Sequence, residues 1–168
     1  MDLKHAGCRL GGVFKIECRD QEGSLKWEDE AHNLVFDEGL NHILDVVFHG
    51  TTPVGAWYLG LVEDSPSFDH EDTLAAHSGW TENTDYSGDR KAFVENAASG
   101  KSIDNAGSAA VFTMTDTVTI AGAFLCSAET GASGTLMSGA VFTQGDRSVV
   151  SGDTLNVTYT FSAADDGV

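Results

Sequence analysis

The feature that most constrains this chain is the alternation in residues 154–161. Leu155, Val157, Tyr159 and Phe161 take every second position, with Thr154, Asn156, Thr158 and Thr160 between them. A period of two, built from β-branched and aromatic residues, predicts a strand with one face buried and one face wet. Ser151-Gly152-Asp153 is a turn leading into it. Residues 110–114, 118–126 and 135–142 are further apolar runs cut by glycine-containing turns, so the last third of the chain reads as sheet.

The first third adds a hairpin. Phe14, Ile16 and Cys18 alternate with Lys15, Glu17 and Arg19; Asp20-Gln-Glu-Gly-Ser24 is a polar turn; Leu25-Lys-Trp27 begins the return strand, and Asn33-Leu-Val-Phe36 ends the unit. One helix is predicted over about 37–49. Asp37 is its expected N-cap and Gly50 its C-cap, with Leu40, Ile43, Leu44, Val47 and Phe48 on the face turned to the core. Residues 56–62 read as a buried strand and residues 91–94 as a short one. Between them lies a long acidic stretch, 63–89, with apolar anchors at Phe68, Leu74 and Trp80. A loop of that length in a compact domain is usually functional or an interaction surface. Residues 97–107 form another small-residue loop.

These elements predict a mostly β chain: an antiparallel β-sandwich or jelly roll with one short α-helix. At 168 residues it is expected to form one domain over 13–164, with an N-terminal arm over 1–12 and an acidic tail over 165–168. No run of about 18 apolar residues exists, so no membrane-spanning helix is expected. The first residues lack an apolar core of signal-peptide length, so synthesis in a cytoplasm without an export route of its own is expected.

Charge narrows the partners. The formal net charge is -17, which argues against a nucleic-acid partner, because binding phosphates needs Lys and Arg. Residues 1–26 hold five of the nine basic residues, Lys4, Arg9, Lys15, Arg19 and Lys26, against four acids. Residues 27–89 hold fourteen acids and no Lys or Arg. Lys4, Arg9, Lys15 and Arg19 are therefore the candidate interface residues: a near-neutral segment is the part least repelled by another acidic body. On this reading Met1–Gly12 is an arm ordered by a neighbouring molecule, while the acidic remainder is a solubilising surface.

Chemistry-bearing motifs are sparse. Cys8, Cys18 and Cys126 match no zinc spacing, and Cys18 and Cys126 sit in apolar strands, which reads as buried small hydrophobes. The six histidines form no His-x-x-x-His or His-x-His pair. Glu63, Asp64, Asp69, His70, Glu71 and Asp72 offer oxygen ligands to calcium without EF-hand spacing, and a solvated acidic loop is the simpler reading. There is no Gly-x-Ser-x-Gly, phosphate loop or dinucleotide fingerprint, and no pair of carboxylates is singled out. In Asp85-Tyr86-Ser87-Gly88-Asp89-Arg90, the arginine is the first cation after Lys26. Asp85, Tyr86, Asp89 and Arg90 are expected to organise the loop through carboxylate hydrogen bonds to the guanidinium.

Several stretches in order resemble the small virion proteins of tailed bacteriophages. They are Asn33-Leu-Val with Glu38-Gly-Leu-Asn-His-Ile-Leu-Asp45, Trp57-Tyr-Leu-Gly-Leu61, Gly79-Trp-Thr-Glu with Asp85-Tyr-Ser-Gly and Arg90, Ser102-Ile-Asp-Asn105, Ile120-Ala-Gly-Ala-Phe-Leu125, and Gly152-Asp-Thr-Leu-Asn-Val-Thr-Tyr-Thr-Phe161. The resemblance spans about 33–161 and is closest to capsid decoration, or cement, proteins. It implies a non-enzymatic structural protein of the virion, often trimeric, bound to the major capsid protein or other virion proteins. It implies no catalytic residues, no cofactor, no nucleic acid and no membrane. The alternative is a receptor- or carbohydrate-binding module of a tail fibre or neck, with Trp57, Tyr58, Trp80 and Tyr86 as a sugar platform. Solvent-facing rings in one groove would favour that alternative, and buried rings a scaffold.

Overall fold

The computed structural model describes residues 7–165. Two antiparallel sheets pack face to face as a β-sandwich, with one short helix between two strands of the second sheet. The sheet built on the chain's two ends comes first. β1 (Cys8–Arg19) pairs along its whole length with β12 (Thr154–Asp165), and β2 (Leu25–His32) borders β1. The far edge of β12 is shared by β8 (Ala110–Thr113) and β7 (Ser102–Asp104). The register aligns the predicted apolar sets: Phe14 faces Tyr159, Ile16 faces Val157, and Cys18 faces Leu155. All six side chains are fully buried, and the Phe14 and Tyr159 rings stack at 4.1 Å. Cross-strand pairs of this kind are what stabilises a sheet, so the terminal strands lock the fold.

This pairing revises the predicted arm. Cys8–Gly12 is strand, matched residue by residue to Phe161–Asp165. Glycines 11 and 12 do not loosen it; a Cβ on Gly12 would lie 2.3 Å from the Thr160 carbonyl oxygen. Asp165 likewise belongs to β12 rather than to a tail. The remainder of the expected arm, with Lys4, and the remainder of the tail lie outside the described residues.

The chain changes sheets at Asn33, whose amide Nδ2 donates to the Tyr159 hydroxyl at 2.9 Å while its Oδ1 accepts the Gly12 N–H. The second sheet runs β3 (Leu34–Val35), β10 (Leu136–Val141), β9 (Val118–Cys126), β4 (Tyr58–Glu63), β5 (Glu82–Asn83). β11 (Arg147–Val149) follows β10 along one edge of β9, and β6 (Lys91–Ala92) shares the outer edge of β4 with β5. The four strands predicted in the last third are all present. The short β5, β7 and β11 lie in segments where the sequence pattern predicts no strand.

Both faces of the second sheet are buried. Leu59, Leu61, Ala123 and Leu125 point to the first sheet, and Val62, Phe124, Cys126 and Leu136 point away from it into a second core. The acidic stretch 63–89 supplies that second core with Phe68, Leu74 and Trp80. This is why β4 and β9 read as continuous apolar runs while β12 alternates. The long loop is thus a third layer that shields the sheet.

The helix departs from expectation. α1 (Asp37–Leu44) is followed by a π-helical turn (Asp45–His49), with Gly50 at φ 75° as its C-cap. The N-cap is Phe36 rather than Asp37, and it makes no side-chain capping bond. Gly39 faces β10 so closely that a Cβ would meet the Met137 carbonyl oxygen at 2.6 Å. The helix therefore rests on Gly39 and Ile43: of the predicted inward stripe Ile43 packs on the core and Leu40 is half-buried, while the other three members turn outward. Leu44, Val47 and Phe48 are 54, 63 and 82% exposed.

Candidate functional site

The site stands at the end of the sandwich where α1, the π turn and residues 51–57 meet. A groove of about 310 Å³ is lined by His42, Val46, Val47, Pro53, Val54 and Trp57. It shares Ile43, Val54, Trp57 and Met137 with an adjoining cavity of about 240 Å³ that runs between the sheets toward Phe93 and Phe161. Two local causes shape it. The close seat of Gly39 on β10 tips the helix, and the wider π turn carries Val47 and Phe48 away from the sheet. π turns inside helices occur disproportionately at functional sites. Trp57 is half-buried at the groove floor, and the His42 ring meets it edge-on at 5.5 Å. Residues 46–62 contain no Asp, Glu, Lys or Arg, in a chain of net charge -17. The sequence held this signal, since the apolar helix stripe was legible; which side of the helix it occupied was not.

A second polar constellation lies around Arg90, on the opposite side of β4. The buried guanidinium donates from Nε and Nη2 to the two oxygens of Glu82 at 2.7 and 2.6 Å. Nη1 donates to the carbonyls of Ala128 and Gly131, both at 2.9 Å, and the Phe124 ring lies 5.4 Å away. The expected carboxylate grip exists, but Glu82 provides it. Asp89 is exposed, and Asp85 instead accepts from Asn83 Nδ2 at 3.0 Å. Asp85 and Asp89 lie two and six residues beyond the strand that carries Glu82, and Asp85 bonds back to Asn83 rather than to the guanidinium. Tyr86 is buried against Phe112 (rings edge-on at 4.8 Å), and burial, with Glu82 nearby, pushes its phenol well above the ordinary range. The Arg90 clamp fastens the loop after β9 to the outer strand β5, a structural task.

The remaining predicted residues separate. Lys15 and Arg19 lie on the wet face of β1, where both approach Glu17, at 3.8 and 2.9 Å. Arg9 is exposed on the same strand. The proposed sugar platform is split: Trp80 and Tyr86 are each only 6% exposed, in different cores. Trp57 and Tyr58 are half-buried and belong to opposite faces of the second sheet. Consecutive strand residues point to opposite faces, so those two rings cannot share a groove.

The acidic loop spends its carboxylates on itself. Asp72 accepts from Trp80 Nε1 and from the Asp69 amide, both at 3.0 Å, and Asp69 accepts from the Glu71 amide. His70 Nδ1 lies 3.0 Å from Asp37, and that hydrogen bond raises the imidazole pKa. Among the described residues no cluster of three or more His, Cys, Asp or Glu could hold a metal ion. Cys18 and Cys126 are buried as expected, and Cys8 is exposed. Burial, reinforced by Asp153, pushes the Cys18 thiol up to about 11. No protein-family model matches the chain, and no curated protein matches it closely.

Proposed function

We propose that this chain is a non-enzymatic structural component of a tailed-phage virion, a decoration protein that binds the outside of the head and stabilises it. The observation that carries the reading is the set of exposed apolar side chains Leu44, Val47 and Phe48 beside the Trp57 groove on an otherwise acidic sandwich. A contiguous apolar patch on a well-packed domain marks a surface that is covered in an assembly. The ordered resemblance of 33–161 to virion proteins supplies the kind of assembly. A sandwich whose terminal strands are zipped to each other gives a rigid body, which suits a protein that adds many weak contacts to a lattice. The major capsid protein or another virion protein is its partner, and its acidic body suits basic patches on that partner.

The test is to assemble particles of the encoding phage without this chain, add the purified protein, and measure occupancy and heat resistance. Saturable binding with a higher rupture temperature is expected. Particles that neither bind the protein nor change their heat resistance would overturn the proposal.

A further inference from the structure

We infer that the cavity between the sheets, behind the Trp57 groove, binds a small aromatic amine: a single ring on a short alkyl chain that ends in an ammonium. The inference goes beyond the virion reading and does not depend on it. A ligand there lies inside the sandwich and leaves Leu44, Val47 and Phe48 uncovered on the surface.

Volume sets the size of the occupant. The cavity measures about 240 Å³. An apolar cavity of about 150 Å³ takes up benzene, so this one has room for roughly nine or ten non-hydrogen atoms. The local sequence keeps it open. Gly55 and Ala56 supply wall without bulk, and a Cβ on Gly55 would meet no atom within 4 Å. On the opposite side the short β7 contributes only Ile103, which is half-buried.

The lining sets the chemical class. Trp57, Phe93 and Phe161 present rings, and the buried Leu125 and Met137 complete an apolar wall. Rings and a thioether favour an aromatic guest, through edge and face contacts and through sulfur–ring contact. Water is held poorly by such a wall, because a buried water needs two or more polar partners. The nearest backbone groups are already spent, since the Phe93 amide donates to the Trp57 carbonyl at 2.8 Å.

Charge sets the end group. Among the described residues that line the cavity, Glu95 is the one ionisable side chain, and it is exposed. A ligand that buries its ring between the sheets therefore brings its far end to a carboxylate. The net charge of -17 acts in the same direction over longer range. An ammonium is attracted on both counts, and a carboxylate of the same size is repelled.

The test is an NMR titration of the full chain with three probes that share one ring: phenethylamine, ethylbenzene and phenylacetate. Phenethylamine is expected to bind once per chain with a Kd below about 1 mM, moving the resonances of Phe93, Ile103 and Leu125. Phenylacetate should bind at least about four-fold more weakly, with ethylbenzene between them. Glu95→Gln should weaken phenethylamine about two- to five-fold and narrow the spread among the probes. Ile103→Trp, which fills the cavity, should weaken all three at least about ten-fold. Its melting temperature shows whether it folds, and Glu95→Gln, at an exposed position, carries the test if it does not. Absence of saturable phenethylamine binding would overturn the inference. So would phenylacetate binding as tightly as the amine, an unchanged affinity in Glu95→Gln, or resonance changes centred away from the cavity.

Discussion

The Phe124 ring of β9 lies directly over Gly60 of β4, so close that a Cβ on Gly60 would sit 2.3 Å from Phe124 Cζ. The two residues are register partners, and the ring fills the space that a side chain on β4 would otherwise take. Phe124 then meets Trp80 at 5.2 Å, and Trp80 meets Phe68 at 5.3 Å, which ties the acidic loop onto the sheet. Gly60→Ala should therefore destabilise the fold by about 1–3 kcal/mol, the ordinary cost of overpacking a tight core. Chemical denaturation measures it, and a variant as stable as wild type would show that the second core yields easily.

Among the described residues, Arg90 and Glu82 form the one ion pair with a buried arginine and two-point geometry. Arg90→Ala should cost about 3 kcal/mol or more, because it strands a partly buried carboxylate and frees two carbonyls. Arg90→Lys should not restore the loss, since an ammonium cannot span both oxygens and both carbonyls. Glu82→Gln should cost less than Arg90→Ala. Full rescue by lysine in a melting experiment would show that charge alone, without the fork, holds the clamp.

Leu44→Ala distinguishes the observed helix orientation from the one its periodicity predicts. With Leu44 turned to solvent, the change should be under about 0.5 kcal/mol, against about 2–5 for a core leucine. A loss in the larger range, measured at protein concentrations where the chain is monomeric, would return Leu44 to the core.

His70 should make the joint between the loop and α1 pH-dependent. Its pKa is raised in the fold by the hydrogen bond to Asp37, so the folded state binds the proton more tightly than the unfolded chain does. The stabilisation is thus fully present below the unfolded pKa of about 6.5 and lost as pH rises through the higher folded value. His70→Gln should lower the melting temperature more at about pH 5.5 than at about pH 8. An NMR titration placing His70 at or below its ordinary value would contradict this.

The three thiols should react in two classes. Cys8 is exposed, whereas Cys18 and Cys126 are fully buried, with burial raising both thiols. A thiolate-selective reagent should label one cysteine in the folded chain and all three after denaturation. Rapid labelling of two or three in the native protein would mean the strands around Cys18 or Cys126 open readily.

The sequence alone determined the sheet content, because side-chain alternation is a local consequence of strand geometry. Leu155, Val157 and Tyr159 need no distant partner to declare which face is buried. It also determined the anchors Phe68, Leu74 and Trp80, since large apolar residues in an acidic loop must be buried somewhere. The tertiary structure decided where. The helix stripe was legible as apolar, but beside a close Gly39–Met137 contact, invisible to any periodicity, only Ile43 of it packs on the core and Leu44, Val47 and Phe48 turn outward. Arg90 was legible as a loop organiser, while its partner depended on strand pairing that puts Glu82 within reach and Asp85 out of it. The terminal segments pair only because β1 and β12, nearly the whole chain apart in sequence, meet in register. Local pattern fixes which residues seek burial; the close approach of backbones far apart in sequence fixes which of them obtain it.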